Sequence, residues 1–346
     1  MRTGMTRRDF LAVSAAGVSV AATAGRAAEP AFKTTLHKAV ILGKDRMNEE
    51  TFKKLKDVGI EGFEAHTVAV DEAKKARELA EKYGLRIHSV MRGGSAAGLR
   101  AAQAYGADAV LAPVGGCRVK PMPEPWEYDI KFDETNGHIT QLVAGDNEKF
   151  QGYIEAHNRS VDGVRESIKK LLPVAEETKV AIALENVWNN WCVRPELYNW
   201  VVASFNSPWV KAYFDVGNHV KYAGILRGDE VEIAYPPEVW IRTFGPRLAK
   251  IHVKDYKLNA DGKGGSWAGI GQGSVNWPEV RKALDDVGYN GWLTDETGLG
   301  WPEPSNRLDR IIAGEPPMPS GTMNLVPQTM LPSDTIRMSC HQPVCA

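Results

Sequence analysis

The amino-acid sequence predicts an α/β fold in which eight βα units close into a single-domain (β/α)8 barrel. From about residue 35, short apolar runs alternate with charged, amphipathic stretches, which is typical of a parallel sheet covered by helices. Eight such runs fit into the stretch from 35 to 314, enough for a barrel of about 250 residues plus insertions. No G-x-G-x-x-G turn follows the first run, which argues against an open nucleotide-binding sheet.

The predicted strands are apolar runs that end in polar residues. They lie at 37–43, 60–66, 85–91, 107–114, 180–186, 209–218, 248–255 and 291–297. Between them are stretches such as NEETFKKLKDVG and DEAKKARELAEKYG, which carry apolar residues at i, i+3 and i+4 and end in glycine. These stretches therefore predict amphipathic helices that cover the barrel.

Two segments depart from the βα pattern. Residues 115–150 are too long for an ordinary βα loop. They follow the fourth predicted strand, so we expect an insertion at the carboxyl end of the barrel, where lids over active sites lie. Residues 315–346 are rich in Pro, Ser and Thr and show no periodicity, which predicts a disordered tail.

The N-terminus carries the features of an export signal. TRRDFL at 6–11 precedes an uncharged apolar stretch and an A-x-A-like cleavage site at 22–24, and the order resembles a twin-arginine signal peptide. The alternative is an ordinary disordered N-terminus with a chance Arg-Arg pair. We predict a signal peptide over 1–28 and a periplasmic or secreted protein. The apolar run is short for a membrane span, so no membrane association is expected after its removal.

Composition excludes several classes of partner. The formal net charge is −1, which offers no electrostatic basis for binding nucleic acid or an anionic membrane. The four cysteines form no CxxC pair, which argues against a zinc ribbon, and Cys340 and Cys345 could equally pair or stay free. Oligomeric state is left open, a homo-oligomer included.

The last four predicted strands end in side chains that suit a metal. In a barrel, the carboxyl ends of consecutive strands meet at one mouth. Carboxylates brought so close repel each other, and a divalent cation removes that cost. Taken singly, each residue could be a solvated loop residue or a hydrogen-bonded core histidine. Together, oxygen ligands and one imidazole suit Mn²⁺, our first expectation, or Mg²⁺, Co²⁺ or Zn²⁺. The candidate ligands are Glu185, Asp215, His252 and Glu296.

These residues lie in short motifs that resemble a known superfamily. The motifs are LEN at 184–186, FDVGN at 214–218, HVKD at 252–255 and GQGSVNW at 271–277, together with Glu296. In order and spacing they resemble the xylose isomerase-like TIM-barrel superfamily, above all its sugar phosphate isomerase/epimerase and ketose 3-epimerase branches. The resemblance implies that the four candidate residues bind one divalent metal. It also implies that the two glutamates, Glu185 and Glu296, form the catalytic acid/base pair.

The implied activity is that of a metal-dependent sugar isomerase or epimerase. A carboxylate removes a proton next to a carbonyl, the metal stabilises the enediolate, and a second carboxylate can return the proton. A lyase that cleaves 3-keto-glycosides by β-elimination would use the same metal and bases. A sugar-binding barrel without turnover is the non-enzyme alternative. The superfamily also includes an abasic-site endonuclease, but neutral charge and only eight histidines argue against that reading.

Further polar and aromatic residues near the strand ends are candidate contacts to a small sugar or glycoside. For Glu64 and His88 a structural hydrogen bond is an equal alternative. The 3-epimerases carry a histidine three residues after the metal aspartate and an arginine shortly after the metal histidine. This chain has Asn218 three residues after Asp215, and lysines instead of an arginine after His252. These two departures argue against a simple free-ketose 3-epimerase. Export argues for an unphosphorylated substrate. The candidates are Glu64, His88, Asn186, Trp188, Asn218, His219 and Lys254, of which Asn218 and Lys254 stand near those two family positions.

Overall fold

Eight strands of the chain form a closed parallel barrel, as the sequence predicts. The structure is a computed structural model that describes residues 32–318, apart from 113, 188, 228–229 and 299. The strands in this part of the chain are β1 (Leu36–Ile41), β2 (Gly62–His66), β3 (Arg86–Met91), β4 (Ala109–Ala112), β5 (Tyr128–Asp133), β6 (His138–Val143), β7 (Ala181–Glu185), β8 (Val210–Asp215), β9 (Gly224–Arg227), β10 (Glu230–Ile233), β11 (Leu248–Val253), β12 (Asp255–Leu258), β13 (Gly265–Ala268) and β14 (Gly291–Asp295).

Helices separate the barrel strands and cover them. They are α1 (Glu49–Asp57), α2 (Val70–Lys82), α3 (Ala96–Tyr105), α4 (Gln151–Thr178), α5 (Pro195–Ala203), α6 (Val216–Tyr222), α7 (Pro237–Phe244), α8 (Trp277–Asp286) and α9 (Glu303–Ala313). Short 3-10 helices lie at Lys44–Arg46, Glu148–Phe150 and Gly245–Arg247. Among the described residues, no helix is both long enough and apolar enough to span a membrane.

The strand order around the barrel is β1, β14, β11, β8, β7, β4, β3, β2, and every neighbouring pair is parallel. The seam between the first and last strands aligns Leu36 with Gly291 and Val40 with Asp295. Each predicted strand therefore corresponds to one barrel strand, and all eight carboxyl ends lie at the same mouth.

The period of two along each strand decides what faces the barrel axis. One buried cluster joins Ala109 and Leu111 of β4, Ala181 and Ala183 of β7, and Tyr213 of β8. The alternate residues Val110, Ile182 and Phe214 belong to the larger core beneath the helices. Small alanines on two strands leave the interior to the larger Tyr213 ring. The residue two positions beyond Tyr213 on the same face is Asp215.

Three antiparallel hairpins extend from the carboxyl ends of barrel strands. The predicted insertion at 115–150 contains β5 and β6, which pair with each other. The pairs β9–β10 and β12–β13 follow α6 and β11. These two hairpins touch, because a Cβ atom on Gly224 would lie 2.4 Å from the carbonyl oxygen of Gly262. Glycine at 224 is therefore required by the close approach of two backbones.

Some boundaries differ from the prediction. The sixth predicted strand, 209–218, ends at Asp215, because the Asp215 side chain accepts the N–H of Asn218 and caps α6. The seventh, 248–255, is interrupted after Val253. The predicted signal peptide at 1–28 lies outside the described residues. So does the predicted tail beyond 318, and residues 315–318 carry no helix or strand.

Candidate active site

The four candidate metal ligands meet at the mouth of the barrel. Glu185 is the last residue of β7 and Asp215 the last of β8, while His252 lies one residue before the end of β11. Glu296 follows β14 and donates its N–H to the carbonyl oxygen of Val253. One ligand atom from each of the four lies within 4.8 Å of the others. The cluster that these four residues form could hold one metal ion.

The His252 ring has one nitrogen facing the carboxylates. Its Nδ1 atom lies 3.1 Å from Glu185 Oε1, 3.1 Å from Glu296 Oε2 and 3.8 Å from an oxygen of Asp215. The other nitrogen, Nε2, lies 2.7 Å from Glu64 Oε2. With the proton on Nε2, the ring donates to Glu64 and turns the Nδ1 lone pair toward the cluster. Metal-ligating histidines commonly have this arrangement.

Glu64 lies behind His252, inside the barrel. It is fully buried on β2, and its Oε2 atom also accepts the hydroxyl of Tyr213 at 3.3 Å. Both contacts orient groups that face the axis, so the structure gives Glu64 a positioning role toward His252. Its role as a sugar ligand stays a prediction.

The cluster is short of positive charge. Burial raises the pKa of Asp215 well above its usual range, and the nearby carboxylate of Glu296 adds to the rise although Lys254 opposes it. The ammonium of Lys254 lies 2.8 Å from Asp215 Oδ2 and 2.9 Å from Glu296 Oε2. Burial works against that ammonium, but these carboxylates raise its pKa. Three carboxylates and one imidazole, with one lysine between them, fit a divalent cation.

Asn186 and Asn218 hold Asp215 in place. The Asn186 side chain accepts the backbone N–H of Asp215 at 2.7 Å and donates to its carbonyl oxygen at 2.8 Å. Asn218 donates its side-chain amide to the carbonyl oxygen of Asn186 at 3.0 Å, and its backbone N–H to Asp215 Oδ1 at 2.7 Å. The asparagines of LEN and FDVGN therefore join the ends of β7 and β8. Contact with a substrate stays a prediction for both.

The structure places the two other candidate histidines outside the cluster. His88 on β3 stacks on Trp292, with ring centroids 4.8 Å apart, and its Nε2 atom lies 3.1 Å from the Thr294 hydroxyl. Burial lowers the pKa of His88 well below its usual range. The Nε2 atom of His219 lies 3.1 Å from the indole nitrogen of Trp240 and 3.1 Å from the carbonyl oxygen of Ala234, and burial lowers the pKa of His219 to about 4. Both are buried imidazoles that hold neighbouring groups.

One candidate cannot be placed, and another residue was not anticipated. Trp188 lies outside the described residues. Asp255 of HVKD was not among the candidate residues, and it organises the GQGSVNW loop. It accepts the backbone N–H groups of Gly271, Gly273 and Val275 and the indole N–H of Trp277.

The glycines of GQGSVNW were the signal that could have revealed this contact. A Cβ atom on Gly273 would lie 2.0 Å from Asp255 Oδ1, so the loop can close on this carboxylate only with glycine there. Because Asp255 is the last residue of HVKD, the GQGSVNW motif is hydrogen-bonded directly to the HVKD motif.

The family comparison agrees with the fold. Residues 52–310 match the model of the xylose isomerase-like TIM barrel family. The chain belongs to that family. A comparison with curated proteins finds no match.

Solved structures share the fold at low sequence identity. A 3-keto-D-glucoside 4-epimerase from E. coli is 14% identical, with a TM-score of 0.52 over 81% of this chain and 98% of that one. A D-tagatose 3-epimerase-like protein is 15% identical, with a TM-score of 0.54 over 80% and 96%. A mannonate dehydratase from Streptococcus suis is 14% identical, with a TM-score of 0.54 over 84% and 100%. At these identities the likeness shows the fold.

Proposed function

We propose that the protein is a divalent-metal-dependent sugar isomerase or epimerase that removes a proton from a carbon next to a carbonyl. The observation that carries the proposal is the placement of two glutamates on either side of one metal-binding cluster. Glu185 ends β7 and Glu296 follows β14, and β8 and β11 lie between these strands in the barrel. A sugar bound at the cluster would have a carboxylate on each side, as proton removal and return require.

The surroundings of the two glutamates differ in the metal-free cluster. Burial raises the pKa of Glu185. Burial also opposes ionisation of Glu296, but protonated His252 and Lys254 outweigh it and hold the pKa of Glu296 well below its usual range. In this proposal one of the two glutamates takes the proton and the other delivers one to the opposite face.

The chain's own residues orient the reacting groups. The cation, Mn²⁺ in the first instance and Mg²⁺, Co²⁺ or Zn²⁺ as alternatives, supplies positive charge that stabilises the carbonyl oxygen as proton removal makes it negative. Glu64 fixes the ring of His252, and Asn186 fixes the backbone of Asp215. Lys254 reaches the same mouth and can donate to a sugar oxygen. Similar folds in a 3-keto-D-glucoside 4-epimerase and a D-tagatose 3-epimerase-like protein support a sugar substrate.

A lyase acting on 3-keto-glycosides is the second candidate. Proton removal beside the ketone, followed by loss of the group at the β carbon, needs the same cluster and the same base. One observation argues against a free-ketose 3-epimerase. Asn218 occupies the position of the family's histidine and is engaged with the backbone of Asn186. A binding barrel without turnover is disfavoured, because all four candidate ligands are present and clustered.

Isotope exchange tests the proposal and separates the candidates. The Mn²⁺-loaded protein is incubated in D₂O with free ketoses and with 3-keto-glycosides, and the products are analysed by NMR. Deuterium at the carbon beside the carbonyl, with inversion or isomerisation, supports the isomerase or epimerase. Release of the aglycone with deuterium uptake supports the lyase. No exchange into any of these sugars with any of the four cations would reject both.

We further propose that the protein is exported by the twin-arginine route and meets unphosphorylated sugars outside the cytoplasm. The support is the TRRDFL motif with the apolar stretch behind it. A reporter fused to residues 1–28 should leave the cytoplasm, and replacing both arginines by lysine should retain it. Export of the altered fusion would contradict the assignment.

A further inference from the structure

An exposed tryptophan stands beside the metal-binding cluster. Trp267 lies on β13 and is 44% exposed. Its hairpin, β12–β13, follows directly on β11, the strand that carries His252. Large aromatic side chains usually bury their rings, so an indole exposed at the mouth of a barrel is a candidate ligand contact.

Lys254 links the indole to the cluster. Its ammonium lies 5.3 Å from the centroid of the Trp267 ring. The same ammonium contacts Asp215 and Glu296 at 2.8 and 2.9 Å. Only the tip of one lysine side chain thus separates the indole from two of the candidate metal ligands. The ring and the cluster therefore contact the same ammonium.

The indole is held in place before any ligand arrives. The ring of Tyr256 packs edge-on against it, with centroids 5.0 Å apart and planes at 75°, and the two residues are paired in the hairpin. Tyr256 is buried and donates its N–H to Asp255 Oδ1. Asp255 in turn holds the loop of GQGSVNW. A ring fixed in this way loses little conformational entropy when it binds a ligand.

We propose that Trp267 is a stacking platform for the closed pyranose ring of a glycoside substrate; this rests on the proposed function and names its substrate class. One face of a pyranose carries axial C–H groups and packs on an indole, while the hydroxyls at its edge can accept from lysine. The ammonium groups of Lys254 and Lys221 lie over the indole, 5.3 and 5.9 Å from its centroid, and can donate to a sugar that packs on the rest of the ring. The platform therefore offers apolar and polar contacts together.

The carbonyl chemistry then selects the class of sugar. A free ketose must open its ring to expose a carbonyl, and the open chain has no rigid apolar face to stack. A keto-pyranoside carries its ketone on a ring that stays closed through proton removal. A fixed indole next to the acid/base pair therefore favours keto-pyranosides over free ketoses.

Variants of Trp267 test the platform. The metal-loaded protein is compared with W267A, W267F and the control W126A. Trp126 is also 44% exposed, but it lies in the 115–150 segment with its ring beneath Lys263. Binding of unreactive methyl β-D-glucopyranoside is followed by saturation-transfer NMR on the Mg²⁺-loaded proteins, because Mg²⁺ is diamagnetic, and turnover is measured on the Mn²⁺-loaded proteins with methyl 3-keto-β-D-glucopyranoside and with D-fructose.

We expect W267A to weaken pyranoside binding and raise KM for the keto-pyranoside by about tenfold, the worth of one aromatic contact, with a smaller change in kcat. W267F should recover part of the loss. W126A should match the unaltered protein, and Mn²⁺ affinity should be the same in all four proteins.

The outcomes separate this inference from the function it rests on. If the unaltered protein binds the pyranoside, W267A does not, and neither sugar turns over, the platform stands and the proposed function fails. If the keto-pyranoside turns over equally well in W267A, the platform fails and the proposed function stands. Absence of pyranoside binding to the unaltered protein, or an equal loss in W126A, also overturns the platform.

Discussion

The two halves of the barrel contribute differently to the site. The strands β7, β8, β11 and β14 carry the four cluster residues at their carboxyl ends. In the other half, β2 supplies Glu64 behind His252, and β3 supplies His88 against Thr294 and Trp292. One half therefore presents the candidate ligands, and the other holds those residues or their neighbours in position. A metal site of this kind depends on the orienting residues as well as on the ligands.

Replacing one of the two proposed catalytic glutamates should produce the largest effect. E185Q and E296Q should each lower turnover by about 10² to 10⁴, the usual contribution of general acid–base catalysis, while the barrel stays folded. Turnover by NMR and folding by circular dichroism check this. E166Q, which makes the same change at an exposed glutamate paired with Lys170 on α4, is the control and should retain full activity. Activity near that of the unaltered protein in either glutamate variant would remove it from the acid/base pair.

The second-largest effect should come from removing the charge of Glu64, which lies behind His252. E64Q keeps the shape of Glu64 but weakens its hold on the Nε2–H of His252, so Mn²⁺ affinity should fall by about 10- to 100-fold. Isothermal titration calorimetry measures the change. T294V, which removes the hydroxyl that contacts His88 and leaves Glu64 intact, should bind Mn²⁺ normally. Unchanged affinity in E64Q would mean that the two halves are energetically separate.

Replacing Lys254 tests the half of the barrel that carries the candidate ligands. Its ammonium occupies the negative field that would attract a cation, so K254M should bind Mn²⁺ about tenfold more tightly. The metal-free variant should also unfold at a lower temperature, because the carboxylates lose their counter-charge. Calorimetry and thermal unfolding check the two effects. Weaker Mn²⁺ binding would instead make Lys254 a supporting residue of the metal-bound site.

The smallest effect concerns acid stability. His219 has a pKa of about 4 in the folded protein, because burial disfavours its charged form. The unfolded chain takes up this proton near pH 6.5, so between these values it binds more protons and stability falls as pH falls. From pH 6 to 5 the metal-free protein should lose about 1 kcal/mol through this group. Urea unfolding should show a flatter profile for H219Q, and an identical profile would exclude the contribution.

Much of the barrel and its candidate ligands could be predicted from the sequence. The spacing of Glu185, Asp215, His252 and Glu296 follows from one βα unit per strand, and barrel topology then brings the strand ends together. A local pattern was sufficient, because buried parallel strands read as continuous apolar runs.

Features set by single side chains could not be predicted. The end of β8 depends on Asp215 capping α6, which competes with an apolar run that continues to Asn218. The strands of the hairpins β9–β10 and β12–β13 have four residues each, which is too few to show a distinct hydrophobic period. The position of Lys254 between two carboxylates, and that of Asp255 inside its loop, depend on distances between separate segments. No spacing along the chain encodes these distances.

The seam between β1 and β14 has a consequence for the order of synthesis. Closure pairs Leu36 with Gly291, and Glu296 follows within a few residues. A ribosome must therefore have released most of the barrel before the ring can close and before the fourth ligand exists. Until Glu296 has been synthesised, the chain holds only three of the four cluster residues, Glu185, Asp215 and His252. The complete cluster can therefore form only late in the synthesis of each new chain.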